Sequence, residues 1–406
     1  MATQPSLFDP PRCDKQVSLE PAWSSAGGYP VRMQLEPGTV RVAEFFAGVG
    51  LVRMALERVG MSVVWSNDIE PAKQSMYLAH FGSSSDHEYR LGDVGIVRAH
   101  ELPGNLALAW ASFPCTDLSL AGARRGLAGN KSGTFFGFRD VLRDLDPSDR
   151  PPVVALENVV GLATSNRGED LRVAVRELNA LGYSVDVITL DARRFVPQSR
   201  PRLFLIGTTT PPTTTSGVSS LRPDWLQFIF GDSSLRTHQA VLPEPPPPRF
   251  EGLGAFVDDV PSQDSSWWTG DRLRSFLASL SDIQRRRLNV LVLSDTPIYR
   301  TAYRRTRHGA PVWEVRADGL SGCLRTASGG SSKQAVVRCH NGSVDVRWMT
   351  ASEYGKLMGA GEFRFDGMRT LQAMFGFGDA VCVPVVEWIA RNYLVDLVAP
   401  KSLAYA

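Results

Sequence analysis

One stretch near the amino terminus limits the fold of this chain more than any other. Thr39–Phe46 has the composition of a strand, and Ala47–Gly50 is a glycine-bearing turn. Leu51–Gly60 carries apolar residues at helical spacing and ends in glycine. Val63–Asn67 is predicted to be the next strand and leads directly into Asp68. This order predicts an α/β fold, in which ligands bind beyond the carboxyl ends of parallel strands.

The glycine turn and two acidic residues predict a nucleotide-like cofactor. Glycines let the backbone approach a ligand closely, and Asp68 follows Gly48 by about twenty residues, the interval at which such folds bind ribose hydroxyls. Asp93 is a second candidate, which either accepts a hydrogen bond from an adenine amino group or caps a turn. The turn does not distinguish NAD from S-adenosylmethionine. It is shorter than GxGxxG and lacks the third glycine, which favours a cofactor without a pyrophosphate.

A cysteine follows another apolar run. Leu106–Phe113 is short and largely apolar, as expected of a buried strand in a parallel sheet. Pro114 helps to end that strand, so that Cys115 stands where an open α/β sheet places its chemistry. A single cysteine is more often a small buried apolar residue than a nucleophile. The catalytic interpretation of Cys115 therefore depends on residues elsewhere in the chain.

Charged residues stand at the ends of two further predicted strands. Pro152–Leu156 is apolar and is followed by Glu157, a carboxylate that is costly to bury unless it has a partner or a function. Arg200 and Arg202 are two residues apart at the entry of the strand Leu203–Gly207, so their side chains point the same way. We expect both arginines to face the site.

The composition is that of a globular protein without disulfide bonds. Hydrophobic residues make up 43% and charged residues 21% of the 406 residues, and the formal net charge is +2. A nucleic-acid function would therefore depend on a local basic patch. The five cysteines are odd in number and widely spaced, without metal-ligand spacing, which fits a reducing cytosol and predicts no metal site. The sequence predicts no signal peptide and no apolar run long enough to cross a bilayer.

Residues 1–38 are rich in Pro, Ser, Gly and Gln and are predicted to form a flexible tail. Within this tail, Gln4–Phe8 resembles the short clamp-binding peptide of bacterial replication and repair proteins, a glutamine followed by a Leu-Phe pair. Two adjacent apolar side chains on a loose tail could fill a pocket of a sliding clamp. The alternative is a disordered tail that contains these apolar residues by chance.

Taken in order, these pieces resemble the motifs of the cytosine-5 DNA methyltransferase family. The motifs are Phe45–Gly50, Phe113–Ser119, Leu156–Val159 and Val196–Arg202, followed near the carboxyl end by Arg347–Gly359 and Phe375–Val381. The resemblance implies a Rossmann-like α/β sheet that is dependent on S-adenosylmethionine and carries helices on both faces. It also implies a smaller, irregular or β-rich target-recognition domain.

The resemblance implies methyl transfer from S-adenosylmethionine to carbon 5 of a cytosine in a specific sequence of double-stranded DNA. Carbon 5 is a poor nucleophile, so a thiolate of Cys115 would first add to carbon 6 of the ring. Glu157 would hydrogen-bond N3 and the exocyclic amine. Arg200 and Arg202 would hold the cytosine oxygen and help the thiolate to form. The base must leave the DNA stack to reach the thiol.

The same resemblance assigns further residues to cofactor and DNA. The implied cofactor-binding residues are Phe46, Gly48, Gly50, Asp68, Ile69, Asp93, Pro114, Asp379 and Ala380. The implied DNA-binding residues are Ser119, Arg124, Arg125, Arg305, Arg307, Ser328, Gly329 and Gly330. Three positions depart from the family: Glu44 replaces aspartate, Thr116 replaces glutamine and Asp379 replaces asparagine. Thr116 bears on hydrogen bonding in the loop, and Asp379 bears on cofactor affinity.

The motifs also imply a division into domains. The tail, residues 1–38, precedes a catalytic domain of residues 39–207, a target-recognition domain of residues 208–344, and a return to the catalytic domain with a closing helix in residues 345–406. The recognition domain contains the proline run Pro243–Pro248, the pair Trp267-Trp268 and an arginine-rich segment. Its arginines are expected to bind phosphates and guanine edges, although such a run is also typical of a solvated face.

Two other functions fit the same motifs. One is a tRNA cytosine-5 methyltransferase of the same fold, and the other is a catalytically silent DNA-binding homologue. The intact Cys115, Glu157, Arg200 and Arg202 argue against the silent homologue. The compact layout favours a prokaryotic enzyme. We expect it to be cytoplasmic, to be associated with the nucleoid while it is bound to DNA, and to have no membrane partner. A restriction or phage-defence partner is left open.

Overall fold

Seven strands form one sheet, and their order confirms the predicted α/β class. This computed structural model describes residues 38–114, 133–307, 309–326, 333–365 and 368–398. The strands are β1 Arg41–Phe45, β2 Ser62–Asp68, β3 Glu88–Leu91, β4 Leu108–Ala111, β5 Val153–Val159, β6 Ser184–Asp191 and β7 Pro201–Thr208. Their order is β3-β2-β1-β4-β5-β7-β6. The pairs from β3 to β5 are parallel, whereas β7 is antiparallel to β5 and β6.

Helices connect these strands and bury their apolar faces. They are α1 Leu51–Glu57, α2 Pro71–Phe81, α3 Thr134–Arg143, α4 Gly161–Thr164 and α5 Glu169–Ala180. In α3 the residues Phe135, Phe138 and Leu142 recur at helical spacing and are all buried in the core of the sheet. The polar residues between them stay on the outer side, so the sequence pattern alone sets which face of the helix packs inward.

The central strands of the sheet form the most fully buried part of the core. All four residues of β4 are buried, and β5 is buried from its first residue to Asn158. The ring of Phe45 lies 4.9 Å from the rings of both Trp65 and Phe138, measured between centroids. Burying each such side chain contributes roughly 1.5–3 kcal/mol. This packing holds the strand ends firmly, and the candidate site lies at those ends.

A second, antiparallel sheet lies in the region predicted to be β-rich. Its strands are β8 Ile298–Arg307, β9 Ala310–Val315, β10 Gln334–His340 and β11 Ser343–Trp348, in the order β11-β10-β8-β9, with the helices α6 Gly270–Ser279 and α7 Asp282–Leu291 preceding them. Ala335 and Ala302 stand opposite each other in the two central strands. These small residues leave room for Trp348 and Trp313, whose rings meet each other and Trp268 at centroid distances of 5.1–5.5 Å. β11 runs across the predicted domain boundary at residue 344.

The carboxyl-terminal helices return to the first sheet. They are α8 Ala351–Leu357, α9 Thr370–Gly378, α10 Val383–Ile389 and, after a π-helical turn at Ala390–Leu394, α11 Val395–Val398. The hydroxyl of Tyr393 donates to Asp186 Oδ2 of β6 at 2.9 Å and lies 2.8 Å from His238 Nε2. Asp186 also forms a buried ion pair with Arg222. These contacts fix the π-helical turn around Tyr393 against β6, the edge strand of the sheet.

The segment Thr370–Val398 corrects one expectation from the sequence. By length and composition this segment could cross a membrane, so the prediction that no apolar run is long enough was wrong. In the structure, 83% of its most apolar 18-residue window is buried inside the protein. The apolar side chains of the segment therefore serve the core of this protein.

Candidate active site

The candidate residues gather where the strand order reverses. β1 and β4 are neighbours in the sheet, but the chain leaves β1 toward β2 on one side and continues from β4 toward β5 on the other. Such a switch point opens a crevice at the carboxyl ends of the strands. Because β7 is antiparallel to β5, the amino end of β7 meets the carboxyl end of β5. This edge, formed by the carboxyl ends of β1 to β5 and the amino end of β7, is named the carboxyl edge.

The glycine turn after β1 uses its two predicted glycines differently. Gly48 and Gly50 have φ values of 57° and 85°, and Phe46 also has a positive φ of 58°. A Cβ on Gly50 would lie 2.4 Å from the ring of Phe81, so this glycine is required for packing of α2 against the turn. A Cβ on Gly48 would meet only the Lys73 Cδ, at 4.0 Å. Gly48 is therefore the position at which a ligand can approach the backbone.

Asp68 holds the glycine turn and stands beside an exposed apolar side chain. Its Oδ2 accepts a hydrogen bond from the Gly48 amide at 2.8 Å, and its Oδ1 accepts one from the Glu70 amide at 2.9 Å. The next residue, Ile69, is 64% exposed although it is apolar. Asp93 lies exposed at the start of a short helical turn, which its side chain caps. A carboxylate beside an uncovered apolar surface fits the ribose and adenine of an adenosyl group.

Glu157 and Arg202 form a buried ion pair at the carboxyl edge. Glu157 is paired with Phe204 across β5 and β7, so the side chain of Arg202, two residues earlier, lies diagonally on the same face. The Arg202 Nε lies 2.8 Å from the Glu157 Oε1, and Glu157 is only 6% exposed. Burial raises the pKa of Glu157, and the charges of Arg202 and Arg200 only partly oppose that rise. The carboxyl group is thus suited to hold a proton.

Arg200 joins three separate segments. Its Nη1 donates to the Leu324 carbonyl at 2.9 Å, and its Nη2 donates to the Ala380 carbonyl. Weaker contacts reach the Gly378 carbonyl at 3.4 Å and the Cys323 sulfur at 3.2 Å. Both Nη groups therefore already donate hydrogen bonds to carbonyl groups within the protein. This arrangement indicates that Arg200 positions the surrounding segments, whereas the sequence predicted a contact with the base.

Cys323 is a member of this cluster that the sequence analysis missed. Its sulfur lies 3.2 Å from Arg200 Nη1 and 3.8 Å from Arg202 Nη2. Burial opposes ionisation of this thiol, but the two guanidinium groups outweigh burial and lower its pKa. No local pattern marks this cysteine in the sequence, because its partners lie more than 120 positions away.

We expect Cys323 to react faster with iodoacetamide near neutral pH than Cys339 or Cys382, by about tenfold or more, because the thiolate is the reactive form. Burial raises the pKa of Cys339 to about 11 and that of Cys382 to about 12. Mass spectrometry of tryptic peptides after timed alkylation measures the three rates, and unfolded protein gives the control in which all react alike. Equal rates in the folded protein would contradict the expectation.

The chain leading to the predicted nucleophile is anchored at the same edge. The side-chain amide of Asn158, the residue after Glu157, donates to the Phe113 carbonyl at 3.0 Å. Pro114, the predicted cofactor contact, follows at once and is half-buried. Cys115 itself lies outside the described residues, as do Thr116, Ser119, Arg124, Arg125, Ser328, Gly329 and Gly330.

Of the three positions that depart from the family motifs, Glu44 and Asp379 lie within the described residues, and both carry acidic side chains. Glu44 is buried in β1, with its Oε2 3.5 Å from the Ser66 hydroxyl, and burial raises its pKa well above the ordinary value. Asp379 lies at the end of α9 and pairs with Lys73 of α2, with 2.8 Å between Nζ and Oδ2. Ala380, the next predicted cofactor residue, is held through its carbonyl by Arg200.

The predicted DNA contacts that can be placed lie on the second sheet. Arg305 and Arg307 are exposed on β8, and both form ion pairs with Glu314 of β9, at 3.0 Å and 2.6 Å. The Arg305 guanidinium also lies over the ring of Tyr303. Because both arginines pair with Glu314, their side chains lie together at the same end of the β8–β9 hairpin.

Comparison with known proteins adds to this geometry. Residues 40–394 match the family described as C-5 cytosine-specific DNA methylase. The chain is 32% identical over 362 residues to the Type II methyltransferase M.HhaI of Haemophilus parahaemolyticus, covering 87% of this chain and 94% of that protein.

Two solved structures share the fold. The Entamoeba histolytica methyltransferase EhMeth has a TM-score of 0.58 at 16% identity and covers 88% of this chain and 98% of its own. The S. pombe Dnmt2 methyltransferase has a TM-score of 0.56 at 16% identity, covering 89% and 100%. The family match and the similarity to M.HhaI show that this chain belongs to the C-5 cytosine-specific DNA methylases, DNA methyltransferases that use S-adenosylmethionine as the methyl donor.

Proposed function

We propose that this enzyme methylates carbon 5 of a flipped-out cytosine within a specific DNA sequence, through a transient covalent bond to Cys115. The observation that carries the proposal is the buried pair of Glu157 and Arg202 at the carboxyl edge. A carboxyl group whose pKa is raised can donate a proton to a ring nitrogen, and the adjacent guanidinium can donate to a carbonyl oxygen. A cytosine edge presents these two acceptors together.

In this proposal the residues of the chain divide the work of activating the base. Cys115 supplies the thiolate that adds to carbon 6. Protonated Glu157 donates to N3 and accepts from the exocyclic amine, Arg202 donates to the cytosine oxygen, and Arg200 positions them. S-adenosylmethionine, when bound, supplies a methyl group carried on a positively charged sulfur. Loss of the proton on carbon 5 to a base then allows the thiolate to leave.

The cofactor is assigned to the glycine turn. The backbone at Gly48 is open to the approach of a ligand. We assign Asp68 to the ribose, and Ile69 and Asp93 to the adenine. Phe46 belongs to the turn, and we assign Pro114 and Ala380 to the same surface from the family motifs that contain them.

The proposed DNA surface includes the exposed hairpin of the second sheet. Arg305 and Arg307 reach solvent from β8, and the helix α7 carries three consecutive arginines, Arg285, Arg286 and Arg287, that are also exposed. We assign target recognition to residues 208–344 and catalysis to residues 39–207 and 345–406. Guanidinium groups suit both phosphates and guanine edges.

The test is bisulfite sequencing of host DNA with and without the gene, which reports activity and target sequence together. We expect one short sequence to carry 5-methylcytosine only when the gene is present. Fold similarity at 16% identity does not determine the polymer, so purified enzyme is also assayed on tRNA. Methylation of tRNA alone would favour the tRNA enzyme, and no methylation of either polymer would favour the silent DNA-binding homologue.

Partner proteins remain separate proposals. The clamp-binding interpretation of Gln4–Phe8 falls outside the described residues. It is tested by capture on an immobilised sliding clamp, comparing the wild type with Leu7→Ala/Phe8→Ala; equal capture would end the idea. A restriction or defence-system partner, and a cytoplasmic location on the nucleoid, are proposed from the Type II relative alone.

A further inference from the structure

Lys73, a residue that has no role in the proposed function so far, forms an ion pair beside the glycine turn with Asp379, an implied cofactor-binding residue. It lies in the first turn of α2, and its Nζ is 2.8 Å from the Oδ2 of Asp379, at the far end of the chain. The lysine side chain is 13% exposed and the aspartate 45%. The pair thus joins two distant segments at a place that solvent still reaches.

The surroundings of this pair are those of the proposed cofactor turn. The Cδ of Lys73 lies 4.0 Å from the position that a Cβ on Gly48 would take. The charges of Asp68 and Glu70 also act on the ammonium, whose Nζ lies 5.6 Å from the centre of the Phe375 ring. Burial opposes the charge of Lys73, but Asp379 and Asp68 outweigh it and raise its pKa, so this side chain is a cation near neutral pH.

We propose that Lys73 and Asp379 bind the amino-acid end of S-adenosylmethionine, Lys73 receiving the carboxylate and Asp379 the ammonium group. An α-amino acid is a zwitterion, and a partly exposed pair of opposite charges is its complement. In the free protein the two side chains satisfy each other, which avoids an unpaired charge. The inference rests on the proposed placement of the cofactor at Gly48 and Asp68.

Two ligands that differ only at this end test the inference by calorimetry. S-adenosylhomocysteine carries the amino-acid end, whereas methylthioadenosine lacks it. We expect Lys73→Met to weaken binding of S-adenosylhomocysteine by about tenfold or more, as loss of a hydrogen bond to a charged group does, and to leave methylthioadenosine within about twofold. Asp379→Asn should show the same selectivity with a smaller loss.

Two further variants separate the possible failures. Lys356→Met removes a lysine of a different ion pair, with Asp258, and should change neither affinity. Ile69→Ser should weaken both ligands, because the proposed adenine surface is common to them. If Ile69→Ser changes neither affinity, the proposed cofactor site fails. If Ile69→Ser weakens both while Lys73→Met weakens neither, or weakens both equally, only the role of Lys73 and Asp379 is overturned.

Discussion

Replacing Cys115 by serine is expected to lower the rate of DNA methylation by at least about a thousandfold, as loss of a catalytic nucleophile does. A thiol ionises at a much lower pH than a hydroxyl, and its thiolate is the better nucleophile toward an electron-poor ring carbon. The Arg200 and Arg202 guanidinium groups lower the pKa of Cys323 at the carboxyl edge, and we propose that they favour the Cys115 thiolate in the same way. Transfer of labelled methyl groups to DNA under single-turnover conditions measures the rate.

The matched control is Cys13→Ser, which makes the same substitution in the predicted tail and should keep the normal rate. DNA that contains 5-fluorocytosine provides a second readout, because the fluorine replaces the proton that must be lost from carbon 5 and cannot leave as a cation, so the bond to sulfur persists. We expect a stable protein–DNA adduct with the wild type and with Cys13→Ser, but none with Cys115→Ser. Normal methylation by Cys115→Ser would end the proposal of covalent catalysis.

The first sheet could be predicted because its signals are local. The strand and glycine turn at Thr39–Gly50, the apolar run before Cys115 and the run before Glu157 each indicate an element without reference to distant residues. The proximity of Glu157 and Arg202 does not follow from these local signals, because Glu157 ends one strand and Arg202 begins another, and they share an edge only since β7 is antiparallel to β5. Only the register of β5 against β7 explains why these two side chains pair directly.

The contacts that the sequence did not reveal all depend on closure of the chain over long distances. Arg200 was predicted to face the base, but its partners Leu324 and Ala380 lie 124 and 180 positions away. Lys73 and Asp379 are 306 positions apart, and neither carries a pattern that marks the other. Packing around distant residues also turned the apolar segment Thr370–Val398 into core. Such contacts follow from the assembled fold, which periodicity alone does not specify.

Replacing Glu157 by glutamine is expected to lower the single-turnover rate by about a hundredfold or more, within the range of general acid–base catalysis. The amide keeps the shape and can still accept from the exocyclic amine, but it cannot pass a proton to N3. It also leaves the Arg202 guanidinium without its carboxylate partner. Affinity for S-adenosylhomocysteine should stay within about twofold, because Glu157 does not belong to the proposed cofactor surface.

The pH dependence of the same variant tests the proton directly. Because burial raises the pKa of Glu157, the protonated form persists to higher pH than for an exposed glutamate, and activity should fall as pH rises through that raised pKa. Glutamine does not titrate, so this alkaline fall should disappear in Glu157→Gln. The control is Glu387→Gln, which removes a buried carboxylate from its ion pair with Arg391, away from the carboxyl edge, and should keep the wild-type profile. If Glu157→Gln keeps both the wild-type rate and its alkaline fall, Glu157 is not the proton donor and the assignment of N3 activation to this residue is wrong.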